Sequence, residues 1–418
     1  MNKFKGVLKL ITLNFSGRLF STLMIVFIAQ NYDAKLLGIF TLLNSIVLVS
    51  TLPISSGLCN LLTREVSYNL SKGLDRELKG IIIYSIICSF IVLPIVAIVI
   101  YFCSNLFGEI NIKDVYIYII FSIFLRAIAN ILSSISNGFG EYGNSTLPLA
   151  IYLPLTQLIC FSFMYYTETV VSVLIISQIV LFSYFVVFIF NIKIVFRLFF
   201  KLSNIDSPIF KKSWRSAILP LSIISILSTF SNEIITLLLA SDVKELGEYR
   251  LLMQFYMIYM LMSTSINTVA YREISKYQTN EIKKIFFQFK RATLLNFFMA
   301  SSLSLIIYVF GEDIIMLLYG ENYVHLSMYL NAILLIQVLL SLIGPVGVTL
   351  NALKQEKTVM TMMLFIGFFT IFSSLYLIPN YGLIAAISIL LLSRLITNII
   401  AGLILFLKYG FFSLINRG

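Results

Sequence analysis

Asp33-Ala-Lys-Leu-Leu-Gly-Ile-Phe40 and Asp242-Val-Lys-Glu-Leu-Gly-Glu-Tyr249 are nearly the same phrase, written 209 residues apart in a chain of 418. Two further echoes keep almost the same register. Arg64-Glu-Val-Ser67 returns as Arg272-Glu-Ile-Ser275, shifted by 208, and Leu106-Phe-Gly-Glu109 as Leu318-Tyr-Gly-Glu321, shifted by 212. Self-similarity at one fixed spacing marks a duplicated unit, here about half the chain long.

The duplicated unit is too apolar for water. Hydrophobic residues make up 59% of the chain and charged residues 12%, about half the charged share of a soluble domain, so a polytopic membrane protein is predicted. The net charge of +11 comes from basic residues dispersed between apolar runs. Without a recognisable binding module, that pattern reports membrane topology and argues against a nucleic-acid partner. Met1-Asn-Lys-Phe-Lys5 is charged like the start of a signal peptide, but the following run is long, polar-interrupted and without a small-residue cleavage site; it reads as a retained first span. Cys59, Cys88, Cys103 and Cys160 have no metal-ligand spacing, and His325 is the only histidine. A histidine-based metal cluster or proton relay is therefore excluded, and neither a metal nor a cofactor is expected.

At about 20 residues per crossing, spans are predicted near 6–30, 36–62, 80–103, 115–137, 146–166 and 170–192, then 214–240, 250–271, 291–319, 326–351, 357–378 and 383–407. With the N-terminus in the cytoplasm, 23 basic residues fall inside and 4 outside, the other three lying within spans; this satisfies the positive-inside rule and puts both termini in the cytoplasm. Six spans per half keep the two copies in the same orientation. The expected fold is therefore all-α, with about twelve transmembrane helices in two parallel-repeat lobes, 1–200 and 201–418, and a substrate site between them near the midplane. The loops are too short to fold as a catalytic domain.

Arg18, Arg126 and Arg394 are those three span residues, roughly 16 to 18 Å from a span end at about 1.5 Å per residue. A central arginine costs about 2.5 to 3.5 kcal/mol to insert, so a wet cavity or a partner is expected for each. One helical turn from each stands an asparagine: Asn14, Asn130 and Asn398 respectively. Spacing by four places each pair on one face, and these six residues are the candidate substrate-binding set. Glu233 is the only acidic residue assigned to a span; it is a candidate ion carrier or a structural group, and it cannot neutralise three arginines. An anionic substrate such as a diphosphate or acidic sugar would compensate the remainder. The alternative is that the arginines bond to carbonyls, asparagines or Glu233 and only fix helix packing.

The Leu-Gly-Ile-Phe and Leu-Gly-Glu-Tyr junctions, Leu317-Leu-Tyr-Gly-Glu-Asn-Tyr323 and Pro379-Asn-Tyr-Gly-Leu-Ile-Ala-Ala386 resemble the Wzx-type flippases of bacterial polysaccharide units, in the multidrug/oligosaccharidyl-lipid/polysaccharide exporter superfamily. The resemblance covers nearly the whole chain. It implies a V-shaped, alternating-access transporter of the bacterial inner membrane that moves undecaprenyl-diphosphate-linked oligosaccharide, an O-antigen or related repeat unit, from the cytoplasmic to the periplasmic leaflet. It implies no enzyme activity. A monomer is expected, with a polysaccharide polymerase and a chain-length regulator as partners beside the lipid substrate and the bilayer. Two other readings stay open: a membrane-embedded polysaccharide polymerase or glycosyltransferase, and a cation-coupled small-molecule exporter on the same fold.

Overall fold

The computed structural model describes residues 2–103, 112–200, 207–211, 214, 218, 222, 226, 229–230, 233–274, 281–353 and 355–409. Every element among them is helical. The chain divides into two compact units, residues 1–247 and 248–418. Eight helical stretches among the described residues are long and apolar enough to cross a membrane.

The first unit holds α1 (Asn2–Asn31), α2 (Ala34–Lys72), α3 (Asp75–Cys103), α4 (Ile112–Gly138), the short α5 (Tyr142–Leu147), α6 (Leu153–Tyr166) and α7 (Val173–Phe200). α2 packs chiefly on α4, α4 on α7, and α1 on α6. Serine and threonine inside these spans bond back to their own helix: Ser85 Oγ reaches the Ile81 carbonyl at 2.8 Å and Ser183 Oγ the Ile179 carbonyl at 2.7 Å. Lipid offers no competing partner, so this local bond is how a polar side chain is satisfied there.

α2 runs past its predicted end at 62. Its 39 residues span about 58 Å, nearly twice the hydrocarbon thickness of about 30 Å, so its last turns leave the membrane. It stops at Gly73, which takes φ +66°, ψ +29°, while the Leu74 N–H donates to the Asn69 carbonyl at 2.9 Å. That 6→1 bond and left-handed glycine form a Schellman end.

Between α5 and α6, Pro148–Tyr152 is a π-helical turn in which the Leu153 N–H reaches the Pro148 carbonyl. Pro154 has no N–H, so the Ala150 carbonyl loses its i+4 donor. That carbonyl is turned onto α1, where a Cβ on Gly17 would stand 2.3 Å from it.

The repeated phrase is also a repeated structure. Asp33 caps α2, its Oδ1 accepting from the Leu36 N–H at 2.8 Å. Asp242 caps α8 (Val243–Ile274) by accepting from the N–H groups of Lys244 and Glu245 at 2.9 and 3.1 Å. Within the first unit the two helix starts pack on each other reciprocally. A Cβ on Gly38 would stand 1.7 Å from the Val243 carbonyl oxygen, and one on Gly247 would stand 2.1 Å from that of Ala34. The Leu106-Phe-Gly-Glu109 copy lies outside the described residues.

Residues 207–211 and Trp214 are tied to α2 and α3. Arg76 donates to the Ser207 hydroxyl at 2.8 Å, the Ile209 N–H to the Arg76 carbonyl at 3.1 Å, and Trp214 Nε1–H to Glu65 Oε2 at 3.2 Å. Trp214 is fully buried among Leu61, Leu62, Leu78, Ile81 and Ile131.

The second unit holds the rest of α8, α9 (Ile282–Tyr319), a 3-10 turn (Glu321–Leu326), α10 (Ser327–Ile343), α11 (Val346–Ala352) and α12 (Glu356–Tyr409). The 54 residues of α12 are helical on both sides of Gly382, which takes φ +53°, ψ −130°. The chain reverses there, because Val359 and Met362 share one buried cluster with Ala401 and Leu405. At the far end of this hairpin Lys408 Nζ donates to Gln355 Oε1 at 2.6 Å. The predicted spans 357–378 and 383–407 are thus its two arms, and Gly382 of the Pro379-Asn-Tyr-Gly motif makes the turn.

Two sets of variants test this packing. Gly38→Ala and Gly247→Ala each push two helix backbones apart, with an expected loss of about 1 to 3 kcal/mol. The double variant should lose less than the sum, because either change already opens the crossing. Gly73→Ala meets no neighbouring atom and is expected to lose about 1 kcal/mol, for its left-handed backbone alone. Thermal melting of purified protein ranks the set; additive effects at 38 and 247 would refute the shared crossing. Trp214 is the only tryptophan, so its emission reports on one place. Glu65→Ala is expected to blueshift that emission and cost about 1 to 3 kcal/mol by leaving a buried indole N–H unpaired.

Candidate functional site

Arg126 lies midway along α4, half-buried, and reaches α7. Its Nη1 donates to the Tyr184 hydroxyl at 2.5 Å, and its guanidinium carbon stands 5.4 Å from the centroid of the same ring. Tyr184 is fully buried. One aromatic side chain thus provides both a hydrogen-bond acceptor and a π-face. No carboxylate among the described residues pairs with Arg126.

Asn130, one turn on, does not turn to Arg126. Its Nδ2 faces Ser55 Oγ on α2 at 3.4 Å, in a polar seam where Ser55 bonds the Thr51 carbonyl at 3.1 Å and Ser134 the Asn130 carbonyl at 2.9 Å. Thr63 extends the seam, donating to the Cys59 and Ser134 carbonyls at 3.0 and 3.3 Å. Hydroxyls and one amide line the α2–α4 interface there.

Arg18 is an exposed residue of α1. Its neighbour Gly17 points at the Ala150 carbonyl, and successive helical side chains diverge by about 100°, so Arg18 stands off the α1–α6 seam. It has no ionic or hydrogen-bonding partner among the described residues. The side chain of Asn14 lies outside them. Arg394, in the second unit, is half-buried on the second arm of α12. Asn398 donates its amide to the Arg394 backbone carbonyl at 2.9 Å and so reinforces the helix there. Arg18 and Arg126 belong to one unit and Arg394 to the other.

Glu233 is helical and half-buried. The expectation that Glu233 is the only acidic residue of the spans needs correction. Glu312 and Asp313, already inside the predicted span 291–319, lie exposed on α9, and Glu248 lies in the second turn of α8, only 7% exposed. The cause is the Asp242 cap, which starts α8 seven residues before the predicted 250 and draws an apparent loop acid into the helix.

No group of three or more His, Cys, Asp or Glu suited to a metal is present among the described residues. A cavity of about 310 Å³ between α6 and α7 is lined by Ile159, Cys160, Phe163, Ile175, Gln178 and Phe182, without any of the candidate residues. Sequence reasoning located the arginines by their rarity in apolar runs. It missed Tyr184, which carries no local signal and meets Arg126 across 58 residues.

No protein-family profile matches the chain, and no curated protein sequence matches it. Solved structures do. A multidrug resistance MATE family transporter of the MOP superfamily, inward-facing, aligns with a TM-score of 0.71 and 14% identity over 96% of this chain and 98% of its own. The lipid II flippase MurJ, in an inward closed conformation, aligns at 0.72 and 17% identity over 96% of this chain and 87% of its own. A MOP superfamily transporter from Pyrococcus furiosus, described by the reverse polarity of its binding pocket, aligns at 0.64 and 14% identity over 97% and 96%. The all-helical membrane fold of this chain is the one these MOP superfamily transporters share.

Proposed function

We propose that the chain is a flippase carrying an undecaprenyl-diphosphate-linked oligosaccharide, an O-antigen or related repeat unit, from the cytoplasmic to the periplasmic leaflet of a bacterial inner membrane. The observation that carries the reading is Arg126: a guanidinium in the middle of an apolar helix, held by a phenol and left positively charged. Arg18 on α1 adds a second cation without an acidic partner among the described residues. A diphosphate is the anion that guanidinium forks hold best, and the prenyl tail stays in lipid while headgroup and sugars cross. The duplicated halves supply the two lobes of an alternating-access carrier, with Arg18, Arg126 and Arg394 as its substrate-binding candidates and both termini in the cytoplasm. The MurJ neighbour is a flippase of lipid II, which supports a lipid-borne substrate. No covalent step is required, so the polymerase and glycosyltransferase readings lack a role for the arginines.

The MATE neighbours keep a second reading in play, export of a small cation with Glu233 as coupling group. The two readings assign opposite values to positive charge on the path.

Reconstituted protein should move a fluorescent prenyl-diphosphate-linked oligosaccharide between leaflets. Arg126→Ala and Arg394→Ala are each expected to reduce that transport by more than about tenfold, the loss of a charge-assisted bond worth roughly 1.5 to 3 kcal/mol. Tyr184→Phe keeps the ring and removes only the hydroxyl, so it should keep most of the transport. If Arg126 serves packing alone, Tyr184→Phe and Arg126→Ala will lower the melting temperature together and transport will follow the melting temperature. Full glycolipid transport in both arginine variants refutes the site; a gain in cation export by either favours the second reading.

A further inference from the structure

His325 lies in the 3-10 turn of the second unit, and its Nε2 is 3.4 Å from Oε1 of Glu248 on α8. The glutamate side chain is 9% exposed and the imidazole 52%. The other ring nitrogen, Nδ1, stands 3.0 Å from the backbone carbonyl of Asn322. A carbonyl only accepts, so the hydrogen of the ring belongs on Nδ1. A neutral imidazole has no second N–H, and Nε2 would then present a lone pair to a carboxylate lone pair. Both contacts become attractive together only when one more proton sits on Nε2 or on Oε1.

We infer that His325 and Glu248 form a proton-binding pair, at the helix ends that the charge distribution assigns to the outer side, through which transport responds to outer pH. The other ionisable groups at this end of the surrounding elements are Lys244, Glu245, Tyr249 and Arg250 on α8, Glu312, Asp313 and Tyr319 on α9, Glu321 and Tyr323 in the turn, and Tyr329 on α10. Glu312, Asp313 and Glu321 are exposed. The count of histidines had excluded a relay built from several of them; one histidine beside a buried carboxylate needs no second. The proton-binding half stands on this geometry, and its effect on transport rests on the proposed function.

A single histidine makes the test direct, because selective ¹⁵N-histidine labelling of the protein in lipid nanodiscs yields one imidazole spectrum. In the pair both Nδ1 and Nε2 should carry hydrogens, and Glu248→Gln should change the Nε2 signal, since it replaces the carboxylate that faces that nitrogen. Should Glu248→Gln fail to fold, Glu248→Asp draws the carboxylate back by one methylene and should change the same signal. An Nε2 signal unmoved by either change overturns the pair. In proteoliposomes, His325→Gln should flatten the dependence of transport on outer pH between about 5 and 8. A dependence that survives this change overturns the role in transport. If the unaltered protein moves no glycolipid, the proposed function fails while the NMR result still decides the pair.

Discussion

Hydrocarbon offers no hydrogen bonds, and that constraint orders the structure. Every backbone N–H and C=O within the membrane must be satisfied by the chain itself, which accounts for a protein whose described elements are all helical. It also sorts the polar side chains. Serines and threonines close short bonds onto their own helices, as Thr349 does onto the Pro345 carbonyl at 2.9 Å, and then behave as small packing groups. Arginine cannot be absorbed in this way. Its five N–H groups and full charge exceed what one turn of helix supplies, so each arginine kept in a span must be matched from elsewhere.

The same constraint explains the close glycine contacts. Helices in lipid gain little from burying apolar surface against each other and associate through tight packing, which small residues permit. At the crossing of α2 and α8 the contact is reciprocal: Gly38 meets Val243, and Gly247 meets Ala34. Positions 38 and 247 are equivalent in the duplication, as are 34 and 243, at the common shift of 209. A contact in which residue i meets j′ while j meets i′ is the signature of a two-fold axis, here reproduced inside one chain. The repeated Leu-Gly phrase thus has one structural purpose: each copy provides the glycine that accommodates the other copy's carbonyl.

Much of this was legible in the residues because its causes are local. Asp33 and Asp242 open the repeated phrase, Gly382 lies in the motif between the predicted spans 357–378 and 383–407, and the arginines stand out against apolar neighbours. The failures have physical causes too. Helix lengths were set by hydropathy, whereas the helices end where capping dictates: α2 continues as a polar helix to the Schellman glycine at 73, and α8 begins at its aspartate cap. The buried Glu248 was lost through that error. The asparagines were assigned to the arginines by helical spacing, yet spacing says nothing of bonds to the backbone, which Asn398 makes, or to another helix, which Asn130 makes. Tyr184 was beyond reach because only tertiary packing brings α7 to α4.

The choice of a tyrosine opposite Arg126 bears on function more than the arginine's position does. A carboxylate there would form a tight ion pair, cancel the charge and leave nothing for a substrate; removing either member would then leave a buried ion. An aliphatic neighbour would leave the guanidinium without an acceptor. A phenol lies between these extremes. It accepts one N–H and presents its ring face to the cation, holding the arginine at a fixed angle, yet it carries no charge and returns none. The guanidinium is thereby oriented with its positive charge intact, the state that the proposed diphosphate carrier would require: strong enough to admit the anion and to release it on the other side.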